Sequence, residues 1–292
     1  MSANSAIALI DRQPWLDEVA ETLQTAIGEA FRAGGVVGQS LQNFLHGTWL
    51  GHPLHSVLTD VPIGAWTVAL VFDAMDEISG HEAFGRAADA SVAVGVAGAV
   101  ASAVTGLTDW HKTDGRARRI GIAHGLMNAT ALTCYAASLA LRRRDNRRVG
   151  RGLSLLGYAI SSAAAYLGGH LVYGEQVGVD HTVNADLPDG FVAVLQDTDL
   201  PEDEMRRVTI DGTPVLLVRR GGRLFAMVET CAHFGGPLAE GQLEGDSVRC
   251  PWHGSRFALE DGRVLEGPSV HPQPCLAVRV REGQIEVGPA RH

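Results

Sequence analysis

Two short runs carry residue types that bind soft and borderline metals. Cys231-Ala-His233 and Cys250-Pro-Trp-His253 each place one thiol and one imidazole a few residues apart, and sixteen residues separate His233 from Cys250. Four such ligands suit a tetrahedral zinc site as well as an iron-sulfur centre, and an unligated assortment of Cys and His is the third reading. In either metal reading, two loops must be held face to face by a rigid scaffold.

The chain around them supplies that scaffold. From Phe191 onward, apolar runs at Val208 to Ile210, Val215 to Val218, Leu224 to Val228 and Ala277 to Val280 are separated by Asp-Gly, Gly-Gly, Asp-Gly and Glu-Gly turns. Short strands punctuated in this way predict a small all-β domain of about 100 residues. Residues 174 to 190, rich in Gly, Asp and Val with Pro188, read as a linker leading into it.

The runs CAHFGGPL (231–238) and CPWHGSRF (250–257) resemble the two cluster-binding loops of Rieske domains. The resemblance implies a 2Fe-2S cluster with Cys231 and Cys250 on one iron and His233 and His253 on the other, with Pro237, Trp252 and Ser255 around it. Neutral imidazoles in place of two thiolates make reduction easier, so Rieske potentials span about -150 to +300 mV against about -400 mV for plant-type ferredoxins. The extra loop cysteines of quinol-oxidising Rieske proteins have no counterpart here, and Phe257 stands where those proteins carry a tyrosine. The pattern is therefore similar to Rieske ferredoxins and implies the lower half of that range. Only 39 residues follow His253, so the expectation is an electron carrier and not a complete Rieske oxygenase. Cys275, on a late strand, reads as a small buried side chain.

A different composition precedes the β region. Stretches without Asp, Glu, Lys or Arg run from Ala90 to Thr108, Ile120 to Leu141 and Gly152 to Gly174, of 19, 22 and 23 residues. Each matches the roughly 20 residues that a membrane-crossing helix needs. Val57 to about Met75 forms a fourth candidate, interrupted by Asp60 and Asp73. Residues 14 to 33 predict an amphipathic helix through Leu16, Val19, Leu23, Ile27 and Phe31. No stretch resembles a removable signal peptide.

The predicted fold class is thus an α+β multidomain chain, a four-helix transmembrane bundle followed by a small all-β Rieske-type domain. The expected divisions are 1–50 (amphipathic helical segment), 51–175 (bundle), 176–190 (linker) and 191–289 (Rieske domain). The runs GHPLHSVLTDVPIGA, TGLTDW, HGLMN and GGHLVY are similar to an uncharacterised bacterial family of four-helix membrane domains.

Four spans in series alternate direction, so His52, His55, Asp109, His111, His124 and His170 fall at one end of the bundle. His124 and His170 lie about one turn inside their spans, a placement that suits a b-type haem or another metal, with His55 and His111 as further candidates. Helix capping or hydrogen bonding across the bundle is the other reading. Near the spans this end carries Lys112, Arg116, Arg118 and Arg119; the other carries Arg86 and six arginines between 142 and 151. The larger count favours a cytoplasmic location for the second end, whereas cytoplasmic cluster assembly favours the opposite orientation. Arg147-Arg148 is a candidate twin-arginine export signal or a plain stop-transfer cluster.

The net charge of -9 is spread without a basic segment, which excludes nucleic acid as a partner. Four cysteines are too few for a secreted disulfide scaffold. Three functions remain: a membrane-anchored electron-transfer protein exchanging electrons with haem or quinone in the bundle, a Rieske ferredoxin for a separate reductase or oxygenase with the bundle as anchor, and a redox-sensing or transport protein. The expected location is the cytoplasmic membrane of a bacterium, with the side of the Rieske domain open.

Overall fold

The computed structural model describes residues 3–291. Two compact units emerge, the first comprising residues 1–38 and 53–177, the second 39–52 and 178–292. Seven helices are present among the described residues: α1 (Ala3–Asp11), α2 (Trp15–Ala33), α3 (Gly35–His46), α4 (Leu54–Ser79), α5 (Glu82–Trp110), α6 (Gly115–Arg142) and α7 (Arg147–Tyr173).

In the first unit, α4/α5 and α6/α7 form two antiparallel hairpins, closed by α5 against α6 and α4 against α7. All four predicted spans are helical, but only α4, α5 and α7 are long and apolar enough to cross a membrane. The difference at α6 is physical. Three arginines in its first turns and Asn128, Thr130, Thr133 and Ser138 along its length dilute its apolar content. The outward face of α4 exposes Val57, Val61, Ile63, Val68, Val71 and Ile78, a surface suited to hydrocarbon. At the end where α4 finishes and α7 begins, Arg142 is fully buried and bonds Asp73 at 2.5 and 2.7 Å and Asp89 at 3.1 Å. Arg147 holds Asp89, and Arg151 holds Asp76 and Glu77. Three of the six arginines read above as a topology signal are thus consumed inside the bundle.

The amphipathic segment of 14–33 appears as α2. Leu16 and Ala20 pack on Trp110 and Ile122, and Phe31 rests on the His111 ring, while Val19 and Leu23 face outward. Gln24 donates to the carbonyls of Trp110 and Thr113, tying α2 to the turn in which α5 ends.

Among the described residues the second unit is built on ten strands: β1 (Val192–Gln196), β2 (Met205–Ile210), β3 (Thr213–Arg220), β4 (Arg223–Val228), β5 (Gln242–Leu243), β6 (Ser247–Arg249), β7 (Arg256–Ala258), β8 (Val264–Glu266), β9 (Cys275–Arg281) and β10 (Gln284–Ala290). They make a six-stranded sheet ordered β1-β10-β9-β4-β3-β2 and a four-stranded sheet β5-β6-β7-β8, with antiparallel pairing throughout. Hairpin turns fall where the sequence placed them: Gly221 and Gly222, with φ of 58° and 72°, supply the left-handed pair that joins β3 to β4. Two apolar clusters form the core, one of them gathering Leu216, Met227, Phe257 and Leu259 with Cys231, Cys250 and Cys275.

Two segments outside the predicted β region belong to this unit. Asn43 donates to the Leu265 carbonyl at 3.2 Å and accepts from the Gly267 amide at 3.1 Å, and a Cβ on Gly267 would fall 2.8 Å from the buried His46 ring. The linker stretch is also anchored: the His181 amide donates to the Ala232 carbonyl, and Ala185 and Leu187 pack on the second core cluster.

Candidate metal centre

Both cluster-type loops leave the ends of strands, Cys231 to Gly236 after β4 and Cys250 to Ser255 after β6, and both are folded in the same way. The Cys231 amide donates to the Gly236 carbonyl and the Gly235 amide to the Cys231 carbonyl; Cys250 with Ser255, and Gly254 with Cys250, repeat the pattern. Gly235 and Gly254 take φ of 74° and 83°, a left-handed backbone that turns each loop back on itself. Gly236 sits where the loops meet, since a Cβ there would lie 2.8 Å from Cys250 Sγ and 3.1 Å from the Trp252 ring.

This folding brings the expected ligands together as two pairs, thiol with thiol and imidazole with imidazole. The two buried thiols hydrogen-bond one another, which holds Cys250 down to about 7 and pushes Cys231 up. The amides of His233 and Phe234 point at Cys231 Sγ and those of Trp252 and His253 at Cys250 Sγ, so both sulfurs sit in cradles that favour negative charge. The His233 and His253 rings, half-buried, have centroids 5.0 Å apart and planes at 81°. Phe234 contacts both rings and His181 stacks on Phe234. Two converging thiols, two adjacent imidazoles and amides aimed at sulfur fit a 2Fe-2S cluster with mixed ligation.

The surrounding residues take defined places. Ser255 is fully buried and its hydroxyl oxygen accepts from the Ser269 amide at 3.0 Å, so its proton is not spent in that bond. Trp252 is 57% exposed beside His253, Pro237 bridges to Thr230, and Phe257 is buried in the core beneath the cysteines. Cys275 is a free buried thiol, pushed up to about 11 by that burial.

Sequence reasoning missed two supports. Gln273, 1% exposed, accepts from the Ala232 amide and donates to the carbonyls of Val228 and Thr230, stapling the first loop to the segment before β9. Arg249 donates to the Gly254 carbonyl in the second loop while paired with Glu244 and Glu266. Neither belongs to a local motif; their partners lie up to 45 residues away.

The bundle histidines have separate partners. His124 Nδ1 lies 2.8 Å from the Ala164 carbonyl and His55 Nδ1 2.8 Å from the Ser102 carbonyl. His111 Nδ1 lies 2.6 Å from the Thr108 carbonyl in its own helix. His170 Nε2 lies 3.3 Å from a Glu175 carboxylate oxygen.

A small antiparallel β domain that presents paired Cys-x-His and Cys-x-x-His loops defines a class, the mixed-ligand iron-sulfur electron carriers. Residues 190–278 match the Rieske 2Fe-2S domain family, and residues 51–181 match a family described as predicted membrane protein (DUF2231). Ferredoxin CarAc of Metapseudomonas resinovorans is 32% identical over 98 residues, which cover 33% of this chain and 92% of that protein. The chain therefore belongs, through its C-terminal part, to the Rieske family. Apoptosis-inducing factor 3 of Homo sapiens is 34% identical over 95 residues, 32% of this chain and 16% of that protein, so the chain spans about a sixth of that relative's length. Among solved structures, the complex of reduced oxygenase and oxidised ferredoxin in carbazole 1,9a-dioxygenase is 32% identical, covering 35% of this chain and 96% of that chain with a TM-score of 0.34.

Proposed function

We propose that the protein is a membrane-anchored one-electron carrier of the bacterial cytoplasmic membrane, in which Cys231 and Cys250 hold one iron and His233 and His253 the other iron of a 2Fe-2S cluster. The convergence of two thiols and two imidazoles on loops of identical backbone pattern carries this reading. When bound, the cluster supplies reversible uptake of a single electron. The protein's own residues set how readily that happens: four amides directed at the two sulfurs stabilise added negative charge, and burial of both cysteines opposes it. Ser255 donates its remaining proton toward the cluster and Trp252 and Pro237 limit access of water to it. With Phe257 in the core and no phenol at that position, the midpoint lies in the lower half of the Rieske range. Donor and acceptor are a redox protein on one side and a centre in the bundle or a quinone on the other.

Relatives that are ferredoxins support a second reading, with the bundle as anchor only and a separate reductase or oxygenase as partner. Iron and sulfide analysis with low-temperature EPR of the reduced full-length protein tests the shared core of both. Two irons and two sulfides per chain with a rhombic signal are expected; stoichiometric zinc without sulfide refutes it.

A further inference from the structure

The bundle is an internal duplication. His55, Trp66 and Asp73 in α4 are spaced by 11 and 7 residues, three and two helical turns, and so share one stripe. His124, Tyr135 and Arg142 repeat that spacing in α6, each 69 positions later. In the second helices of the hairpins, Gly95, Ser102 and Gly106 recur as Gly157, Ala164 and Gly168, each 62 positions later.

The contacts follow the same offsets. Trp66 stacks on Tyr135 with centroids 3.9 Å apart and planes at 10°, and Asp73 binds Arg142. A Cβ on Gly95 would strike Trp66 at 2.2 Å and one on Gly157 would press Tyr135 at 3.0 Å. His55 bonds the Ser102 carbonyl and lies over Gly106, where a Cβ would come within 2.8 Å; His124 bonds the Ala164 carbonyl and lies over Gly168, where it would come within 3.1 Å. The hairpins are therefore related by a pseudo-two-fold axis along the helices, and α4 and α6, diagonal in the bundle, present matching stripes to it.

Two rungs of this ladder are complementary pairs, ring on ring and acid on base. The third is His55 with His124, each 11 residues, three helical turns, before the stacked Trp66 and Tyr135. A carbonyl only accepts, so Nδ1 carries the proton in both rings and each Nε2 keeps a lone pair. The Asn128 amide nitrogen, 3.1 Å from His124 Nε2, fits that assignment by donating to the lone pair, the place a ligand would take over. Two acceptors cannot satisfy each other; they can share an electrophile.

We propose that Nε2 of His55 and Nε2 of His124 are the axial ligands of a b-type haem on the repeat axis, the bundle centre invoked by the electron-carrier reading on which this proposal rests. A bare ion asks for three or four protein ligands, and among the described residues no third His, Cys, Asp or Glu joins His55 and His124. A porphyrin brings four nitrogens and asks the protein for two. An Nδ1–H bonded to a carbonyl is the support that metal-bound histidines use. His111 and His170 lack this placement, since their counterparts in the repeat are Tyr173 and Thr108. Transfer moves one electron from the reduced Rieske cluster to ferric haem iron, which becomes ferrous, with no bond or proton changing hands.

The test uses full-length protein purified in detergent from haem-replete cells, read by pyridine haemochrome, metal analysis and Rieske EPR. Wild type should carry one haem b per chain. His55→Ala and His124→Ala should each lower haem content about tenfold or more, in line with the loss of a ligand or its support, while His111→Ala and His170→Ala retain it. Because a cavity variant can misfold, His55→Gly with added imidazole serves as a rescue, and recovered haem is expected. Haem-free wild type, stoichiometric copper or zinc, oxidation of added quinol by haem-free protein, or haem that follows His170 in place of His55 overturns the proposal. Any of these with the Rieske signal intact leaves the electron carrier standing; a missing Rieske signal sinks the carrier itself.

Discussion

The Rieske unit and the bundle are both made from a doubled element, and they use the doubling differently. The two cluster loops share a backbone hydrogen-bond pattern and keep identical side chains, Cys231 with Cys250 and His233 with His253. The two hairpins keep their spacing but exchange side chains for complements, Asp73 against Arg142 and Trp66 against Tyr135. Complementary mates satisfy one another and lock the halves together. Identical mates do not, and they converge on something held between them. By this criterion the His55 and His124 rung belongs with the cluster loops and not with the rungs beside it.

The comparison can be broken most decisively at the cluster. Cys231→Ala should abolish iron binding and the EPR signal, because no other side chain replaces the thiol in its cradle of amides. Gly236→Val should have nearly the same effect by geometry alone, since even its Cβ would fall 2.8 Å from Cys250 Sγ; iron content per folded chain measures it. In the bundle, Arg142→Met should cost about 3 kcal/mol by stripping buried Asp73 of its bidentate partner and leaving it only Arg151 Nε at 3.4 Å. Combining it with Asp73→Leu should restore most of that loss, as read by thermal unfolding in detergent.

Smaller effects sharpen the role of the supports. Gln273→Leu should destabilise the Rieske unit by about 1 to 3 kcal/mol, the cost of an unsatisfied Ala232 amide and two abandoned carbonyls, seen as a lower melting temperature. Arg249 holds the Glu244 carboxyl below its ordinary value. The folded form is the stronger acid, so this stabilisation is full above the unfolded value of about 4.3, begins to fade there and is lost as pH falls through the lowered folded value. Acid titrations of melting temperature should show a shallower fall below about pH 5 in Glu244→Gln than in wild type.

The paired Cys and His loops and the strands that carry them were legible because their pattern is local. Cys-x-His is visible within three residues, and Gly221-Gly222 marks its turn wherever the sheet lies. The long helices of the bundle were legible from length and lack of charge, although α6, with its arginines and hydroxyl side chains, falls short of the apolar content of the others. The duplication escaped because a structure that pairs with its own copy favours complements: aligning Asp with Arg, or Trp with Tyr, looks like mismatch until the rungs are seen. Gln273 and Arg249 escaped for a related reason, as single polar residues whose partners are fixed only once the sheets close.

The segment from Gln39 to His52 has a consequence for how the molecule is made. Its Asn43 bonds and buried His46 belong to the C-terminal unit, yet a ribosome releases it more than 120 residues before the rest of that unit. At about 5 to 20 residues per second, this strap waits for roughly 6 to 25 seconds while the whole bundle is synthesised. A gene fragment beginning at 178 would encode every cluster ligand and still lack a piece of the folding unit, so the boundary that counts in the finished protein is not one that scissors applied to the sequence can reproduce.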